Sequence, residues 1–311
     1  MAFESISFRD QVTLLNGRGM TFNNPERAED TLKHVSYYKI KEFAWPYAKE
    51  DNGEIKYSDI TFEDVITRYY RDKNIRLHIL HALEDIEVAL QTQIAYYLGQ
   101  NTGEYGYLRA NNWADIQSFS RSKVNKTQEK IIERIGYQVR IARENPQSHH
   151  ELISKLESGS NPNYPPVWLG VNLLMFGNLV YMLEIMSRRN KEPIAAYFSC
   201  SMEELYAWMQ MLNLVRNICA HNSNFIDLHF ISSVPIKKEW KEYLYIHGKE
   251  QNIITDRIAV PIIIIKYLMD QINPSYRFNS IRNILNKLIE NDQEANYYGF
   301  KSKQSVLDLF K

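Results

Sequence analysis

Two cysteines in 311 residues leave nothing from which a disulfide scaffold could be built. Cys200 and Cys219 belong to no CxxC or metal-spaced pattern, so free thiols in a reducing cytosol are expected, with a single disulfide between them as the alternative. His149 and His150 have neither the spacing nor the carboxylate company of a metal site and read as surface. No metal and no cofactor is expected. Net charge is missing as well: 37 Lys and Arg balance 37 Asp and Glu, so a nucleic-acid partner would have to be met by a local patch. Long apolar runs are also absent. The most apolar, Ile258 to Met269, is interrupted by Pro261 and Lys266 and falls short of the ~20 residues that a membrane span needs. The opening MAFESISFRD has acid and base where a signal peptide has an apolar stretch. A cytoplasmic protein that does not enter a membrane is therefore predicted.

Glycine (12) and proline (10) are scarce, and apolar residues recur at intervals of three and four, so the chain reads as all-α. The clearest helix is predicted from Thr61 to Leu98, with Thr61 as its N-cap, Asp64 three residues on, and Phe62, Val65, Ile66, Tyr69, Leu80, Leu83, Leu90, Ile94 and Tyr97 along one side. Ahead of it, one helix should start at Pro25 and another end at Trp45-Pro46. KEDNGEIKYS then forms a turn or small hairpin. Further helices are predicted from Lys123 to Asn145, Val167 to Ser187, Met202 onward behind a Ser201–Glu204 capping box, Asp256 to Gln271 and Ser275 to Glu290. Gly170 and Gly177, inside the second of these, suggest close helix approach, and GSNPNYPPVW before it is a loop. The expected organisation is an N-terminal helical segment, 1–60, packed on a helical core, 61–311.

The stretch LNLVRNICAHNSNF places Arg216 and His221 at the end of an apolar helix. Residues five apart sit about 140° from each other on a regular helix, so one helix makes a poor site from this pair. Two copies meeting about a two-fold axis would instead direct both arginines and both histidines into a common cleft. Asn217, one turn before His221, could orient the imidazole. Such a cleft suits RNA cleavage without a metal. A neutral imidazole takes the proton of a ribose 2′-hydroxyl, and a guanidinium holds the phosphate whose charge grows.

RNICAH matches the Arg-x4-His signature of HEPN ribonucleases, and LVRNICAHN resembles the abortive-infection family of AbiD and AbiF type. LLNGRGM, HVSYYKIKEF, TFEDVITRYYRDKNIRLHILHALEDIEVALQTQIAYYLG, PPVWLGVNLLMFGNL and the late YYGF resemble that family's blocks in the same order. The resemblance implies a HEPN-like helical bundle with added N- and C-terminal helices, acting as a metal-independent endoribonuclease in phage defence. It implies Arg216 and His221 as the catalytic pair, Asn217 and Asn222 as supporting polar residues, and a homodimer formed through the Arg-x4-His helices. It further implies a partner RNA, both as substrate and as a structured small non-coding RNA. Two positions depart from the expected pattern. Gln91 stands where an arginine is expected and Asn172 where a glutamate is expected, as if a pair had been neutralised together.

Other readings stand beside these. Arg216 and His221 could be a polar cluster tying helices together, or part of an inactive module that still binds RNA. Glu84 and Glu87, facing away from the Leu80-Leu83-Leu90 stripe, either contact Arg216 or form a solvated face. Lys126, Lys130 and Arg134 follow at four-residue intervals, a repulsive spacing that an anion would relieve. RNA is one candidate, with Tyr137 as a stacking surface, and an ordinary solvated face is the other. Trp168 and Trp208 read as core or interface. The competing functions are a non-catalytic RNA-binding protein of toxin–antitoxin or RNA-scaffold type, and a helical scaffold for protein partners.

Overall fold

The computed structural model describes residues 5–144, 164–231, 233–247 and 253–311, so Asn145, His149, His150 and the 159–163 part of the predicted loop lie outside them. Among the described residues the chain is mostly helical, with two small antiparallel hairpins.

The centre of the molecule is a single long helix. Three helices precede it: α1 (Phe8–Gly17), α2 (Pro25–Leu32) and α3 (Tyr37–Ala44). Asn24 caps α2 just before Pro25, its side chain accepting the Arg27 N–H at 2.9 Å. A 3-10 turn at Trp45–Tyr47 closes α3, and strands β1 (Ala48–Asp51) and β2 (Glu54–Tyr57) pair as a hairpin. Its corner is Asn52-Gly53, with φ of 52° and 81°, the left-handed pair that a two-residue turn needs. Helix α4 then runs Phe62–Thr102, 41 residues, or about 60 Å at ~1.5 Å per residue. It begins on the predicted capping box, with Thr61 Oγ1 accepting the Asp64 N–H at 3.0 Å and the Asp64 carboxylate accepting the Thr61 N–H at 3.2 Å. It continues past Leu98 and stops only at Gly103, whose φ of 76° ends it.

The buried side of α4 carries Val65, Ile75, Ile79, Ala82, Leu83, Ile86, Leu90, Ile94 and Leu98, the three-and-four spacing of an amphipathic helix. Against it pack α3, α8 (Arg188–Tyr197), α9 (Met202–Ala220), α10 (Ala259–Ile272) and α11 (Asn279–Leu288). Helix α5 (Arg121–Glu144) lies outside this layer against α7 (Phe176–Ile185).

The continuous helix predicted from Val167 to Ser187 is not formed. A single turn, α6 (Val167–Gly170), gives way to a 3-10 turn at Val171–Leu173. Leu174 and Met175 are extended, and the Asn178 side chain accepts the Met175 N–H at 3.1 Å to start α7. Ser187 opens the next helix instead of ending this one. Gly170 does allow a close approach, since a Cβ there would lie 3.1 Å from the Tyr107 hydroxyl. Gly177 does not need to be glycine on that ground, its nearest contact being an ordinary 3.5 Å to Asn213. Hairpin strands β3 (Ile246–His247) and β4 (Ile253–Ile254) and the C-terminal helices α12 (Asp292–Tyr297) and α13 (Lys303–Leu309) complete the described chain.

Cys200 and Cys219 are both free, and burial pushes each thiol up to about 12, so neither is primed as a thiolate. Among the described residues no helix is long and apolar enough to cross a membrane.

Candidate functional site

Helix α9 starts on the predicted box, Ser201 Oγ accepting the Glu204 N–H at 3.1 Å and the Glu204 carboxylate accepting the Ser201 N–H at 2.8 Å. Leu205, Trp208, Met209, Leu212, Val215 and Cys219 form its buried stripe. Arg216 is half-buried beside that stripe, whereas Asn217 and His221 are exposed. His221 closes the helix, its N–H donating to the Asn217 carbonyl at 2.9 Å. Asn222 follows in the left-handed region, φ 57°, which asparagine tolerates better than most residues. Neither the His221 ring nor the Arg216 guanidinium has a hydrogen-bond partner among the described residues, although the Arg216 charge reaches Glu87.

The turn that carries His221 is gripped from α4. Arg76 donates from Nη1 to the Cys219 carbonyl at 3.2 Å and from Nη2 to Asn222 Oδ1 at 2.7 Å. It thereby supplies a cation and a donor to one of the carbonyls that a helix leaves unpaired at its C-terminus. Its Nε donates to Asp72 Oδ2 at 2.7 Å, while Asp72 Oδ1 accepts the Phe225 and Ile226 N–H groups at 2.8 and 3.1 Å. Asp72 is 0% and Arg76 5% exposed. Burial pushes the Asp72 carboxyl upward, opposed by Arg76 and the two backbone N–H groups. From the outside, Lys39 Nζ donates to the Asn222 carbonyl at 2.8 Å and to Glu42 at 2.6 Å, and Glu42 accepts the Asn224 N–H at 3.2 Å. The YYGF block fastens the same loop further on. Tyr297 donates to Asp227 at 2.9 Å, and Arg68 pairs with Asp227 while donating to the Tyr298 hydroxyl at 2.5 Å.

Arg216 opens into a groove of about 370 Å³ lined by Leu80, Leu83, Glu84, Glu87, Val88 and Gln91. Glu84 and Glu87 therefore share this wall with Leu80 and Leu83 instead of facing away from them, because the groove cuts across the edge of the apolar stripe. Burial raises the Glu87 carboxyl, Arg216 and the Phe176 N–H oppose that rise, and Glu84 adds to it. His221 is not among the residues lining the groove, in keeping with the angular separation of positions five apart. Gln91 donates to the Leu174 carbonyl at 3.1 Å and the exposed Asn172 to the Trp168 carbonyl at 3.1 Å. These two residues are thus engaged separately, not with each other.

Lys126, Lys130 and Tyr137 lie exposed on α5 and Arg134 is half-buried there. Lys130 Nζ sits 4.7 Å from the centroid of Tyr181 on α7, and Arg134 and Arg140 flank Tyr137 at 5.8 and 5.4 Å. Tyr181, Arg140, Asp72, Arg76, Lys39 and Glu42 were not legible as site residues in the sequence. Trp208 is fully buried, whereas Trp168 is exposed.

A protein-family model described as Abi-like protein matches residues 30–227, from α2 through the Arg216–His221 turn to Asp227. Neither the curated proteins nor the solved structures yield a match.

Proposed function

The chain belongs to the Abi-like protein family, whose role is abortive infection in defence against phage, and from that premise we propose that it is a HEPN endoribonuclease that needs no metal. One observation carries the reading. A buried ion pair on α4, Asp72–Arg76, holds the end of α9 and the following turn by their polar groups, yet the His221 imidazole on that turn and the Arg216 guanidinium earlier on the same helix have no hydrogen-bond partner among the described residues. A buried ion pair that fixes the backbone of a turn whose exposed imidazole has no hydrogen-bond partner among the described residues is the arrangement expected of a group that meets a ligand.

In this reading His221 Nε2 or Nδ1 removes the proton from a ribose 2′-hydroxyl. The 2′-oxygen then bonds to the adjacent phosphorus, and the bond to the 5′-oxygen of the next nucleotide breaks as that oxygen takes a proton from water, to which His221 returns the proton it removed. The products are a 2′,3′-cyclic phosphate and a 5′-hydroxyl. Arg216 balances the charge that grows on the phosphate oxygens, and Asn217 and Asn222 border the same end of the helix. Glu84 and Glu87 line the groove into which Arg216 opens, and the Arg216 charge favours the ionised Glu87. Purified protein that leaves cyclic-phosphate ends on RNA in EDTA would support the reading, and intact RNA under those conditions would end it.

Because Arg216 and His221 point to different sides of α9, the proposal includes a two-fold dimer in which each copy supplies one half of the cleft. Exposed Val88 lines the groove, and Leu77 and Leu214, exposed on the same two helices, suit such a contact. Light scattering should return twice the chain mass at micromolar concentration. A monomer that cleaves undiminished at nanomolar concentration would remove the dimer from the scheme.

The α5 surface supports RNA contact whether or not the site is catalytic, and so keeps the non-catalytic RNA-binding reading alive for a small RNA partner. If Lys126, Lys130 and Arg134 meet phosphates, with Tyr137 beside them as a stacking ring, replacing all three cations with glutamine should flatten the salt dependence of binding. The expected change is about two to three units of logarithmic slope. Superimposable salt series for wild type and variant would show that this face is merely solvated.

A further inference from the structure

Tyr38 and Trp45, 75% and 65% exposed, are the most exposed aromatic side chains among the described residues. They sit seven apart on α3 and its continuing turn, hence on one face, about 10 Å apart along the axis. The opposite face, Ile40, Phe43 and Ala44, is buried, with the Phe43 ring edge-on to Tyr69 of α4 at 5.5 Å. Helix α3 is also the element that touches the His221 turn from outside, through Lys39 on the Asn222 carbonyl and Glu42 on the Asn224 N–H. Two large flat rings are therefore held in water on a helix bonded to the turn that carries His221.

We infer that Tyr38 and Trp45 are a stacking platform for unpaired bases of an RNA strand next to the phosphate at His221, so that the site takes single-stranded RNA. The inference rests on the proposed nuclease reading. With backbone positions ~10 Å apart along the axis, the two side chains receive separated bases, not neighbours in one stack, which a flexible single strand permits and a duplex does not. Cations border the same face. Lys41 lies 5.8 Å from the Tyr37 ring and Arg18 donates to the Tyr37 hydroxyl at 2.8 Å. On the exposed face between Tyr38 and Trp45 stand Lys41 and Glu42, whereas the aliphatic Ile40 and Ala44 are turned into the core. Exposed rings beside cations are the surface on which single-stranded bases stack.

The test uses full-length protein carrying His221→Ala, so that RNA survives, titrated with a single-stranded oligoadenylate. Tryptophan emission should fall on binding, and the change should be lost when Trp45→Phe is added if Trp45 is the ring that stacks. Tyr38→Ala and Trp45→Ala, each at a solvent-exposed position, should each weaken binding by roughly tenfold, the scale of one base–aromatic stack. A fully paired duplex of the same length should bind equally to both forms. Unchanged oligoadenylate affinity in the double variant overturns the platform. So does an emission change that follows protein concentration without RNA, which would mark the face as a contact with a second copy. The nuclease reading fails separately: if wild type leaves RNA intact while Trp45 emission still responds to it, catalysis falls and the platform stands. If wild type cleaves through His221 but the double variant binds as before, the platform falls alone.

Discussion

His221→Ala is expected to lower RNA cleavage by a factor of about 10²–10⁴, the usual contribution of a general acid or base, in a chain that melts where the wild type melts. The two halves of that expectation have different sources. Loss of cleavage follows from the proposed chemistry, in which the imidazole is the group that takes the 2′-hydroxyl proton. Retention of stability follows from the structure, because His221 is exposed and contributes to the fold through its backbone N–H, which the substitution keeps. Any growth arrest that the proposed nuclease causes in cells expressing it should vanish with the cleavage. Arg216→Lys should lose most activity too, since an ammonium keeps the charge but not the planar pair of donors. Cyclic-phosphate ends counted by RNA sequencing, together with a thermal melt, provide both readings. A folded His221→Ala protein that cleaves at the wild-type rate would end the catalytic assignment.

How far the sequence reveals this arrangement differs from one part to the next. Helix starts are legible because their chemistry is local: Asn24 before Pro25, Thr61 with Asp64, Ser201 with Glu204, each a cap whose partner is three residues away. The break at Leu174-Met175 is not, since VWLGVNLLMFGNL is apolar enough to continue as helix and only the Asn178 side chain marks the restart. Arg216 and His221 were found through a short motif, yet the residues that hold them were not, because Arg76 and Asn222 are far apart in the chain and meet only through the packing of α4 on α9. A signal did exist. The apolar stripe read along α4 has a gap between Tyr69 and Leu80, and Arg68 just before that gap and Asp72 and Arg76 within it occur at intervals of four, all three buried. Charged residues at helical spacing on an otherwise apolar face have to be paired with something distant. Here that partner is the turn after His221.

The second large effect is expected at Asp72. Asp72→Ala leaves the Arg76 guanidinium buried without its carboxylate and the Phe225 and Ile226 N–H groups without acceptors, a change that costs about 3–5 kcal/mol in buried pairs. At roughly 2–4 °C per kcal/mol for a large domain, the melting temperature should drop by roughly 10 °C. Loss of activity in that variant alone would say little, as an unfolding protein also stops cleaving. The double variant Asp72→Leu/Arg76→Met separates the two effects, because removing both charges together in favour of apolar groups of similar size restores much of the stability lost when only one is removed. Recovery should be partial, since the two N–H groups stay unpaired. Cleavage, however, should not recover, for the Cys219 carbonyl and Asn222 Oδ1 no longer have the Arg76 donors that fix the end of α9. A melt that returns toward wild type while the cleavage rate stays low would identify Asp72 and Arg76 as positioning residues for His221. A double variant that regains both would reduce the pair to packing, and leave the Lys39 and Glu42 contacts as the grip on the turn.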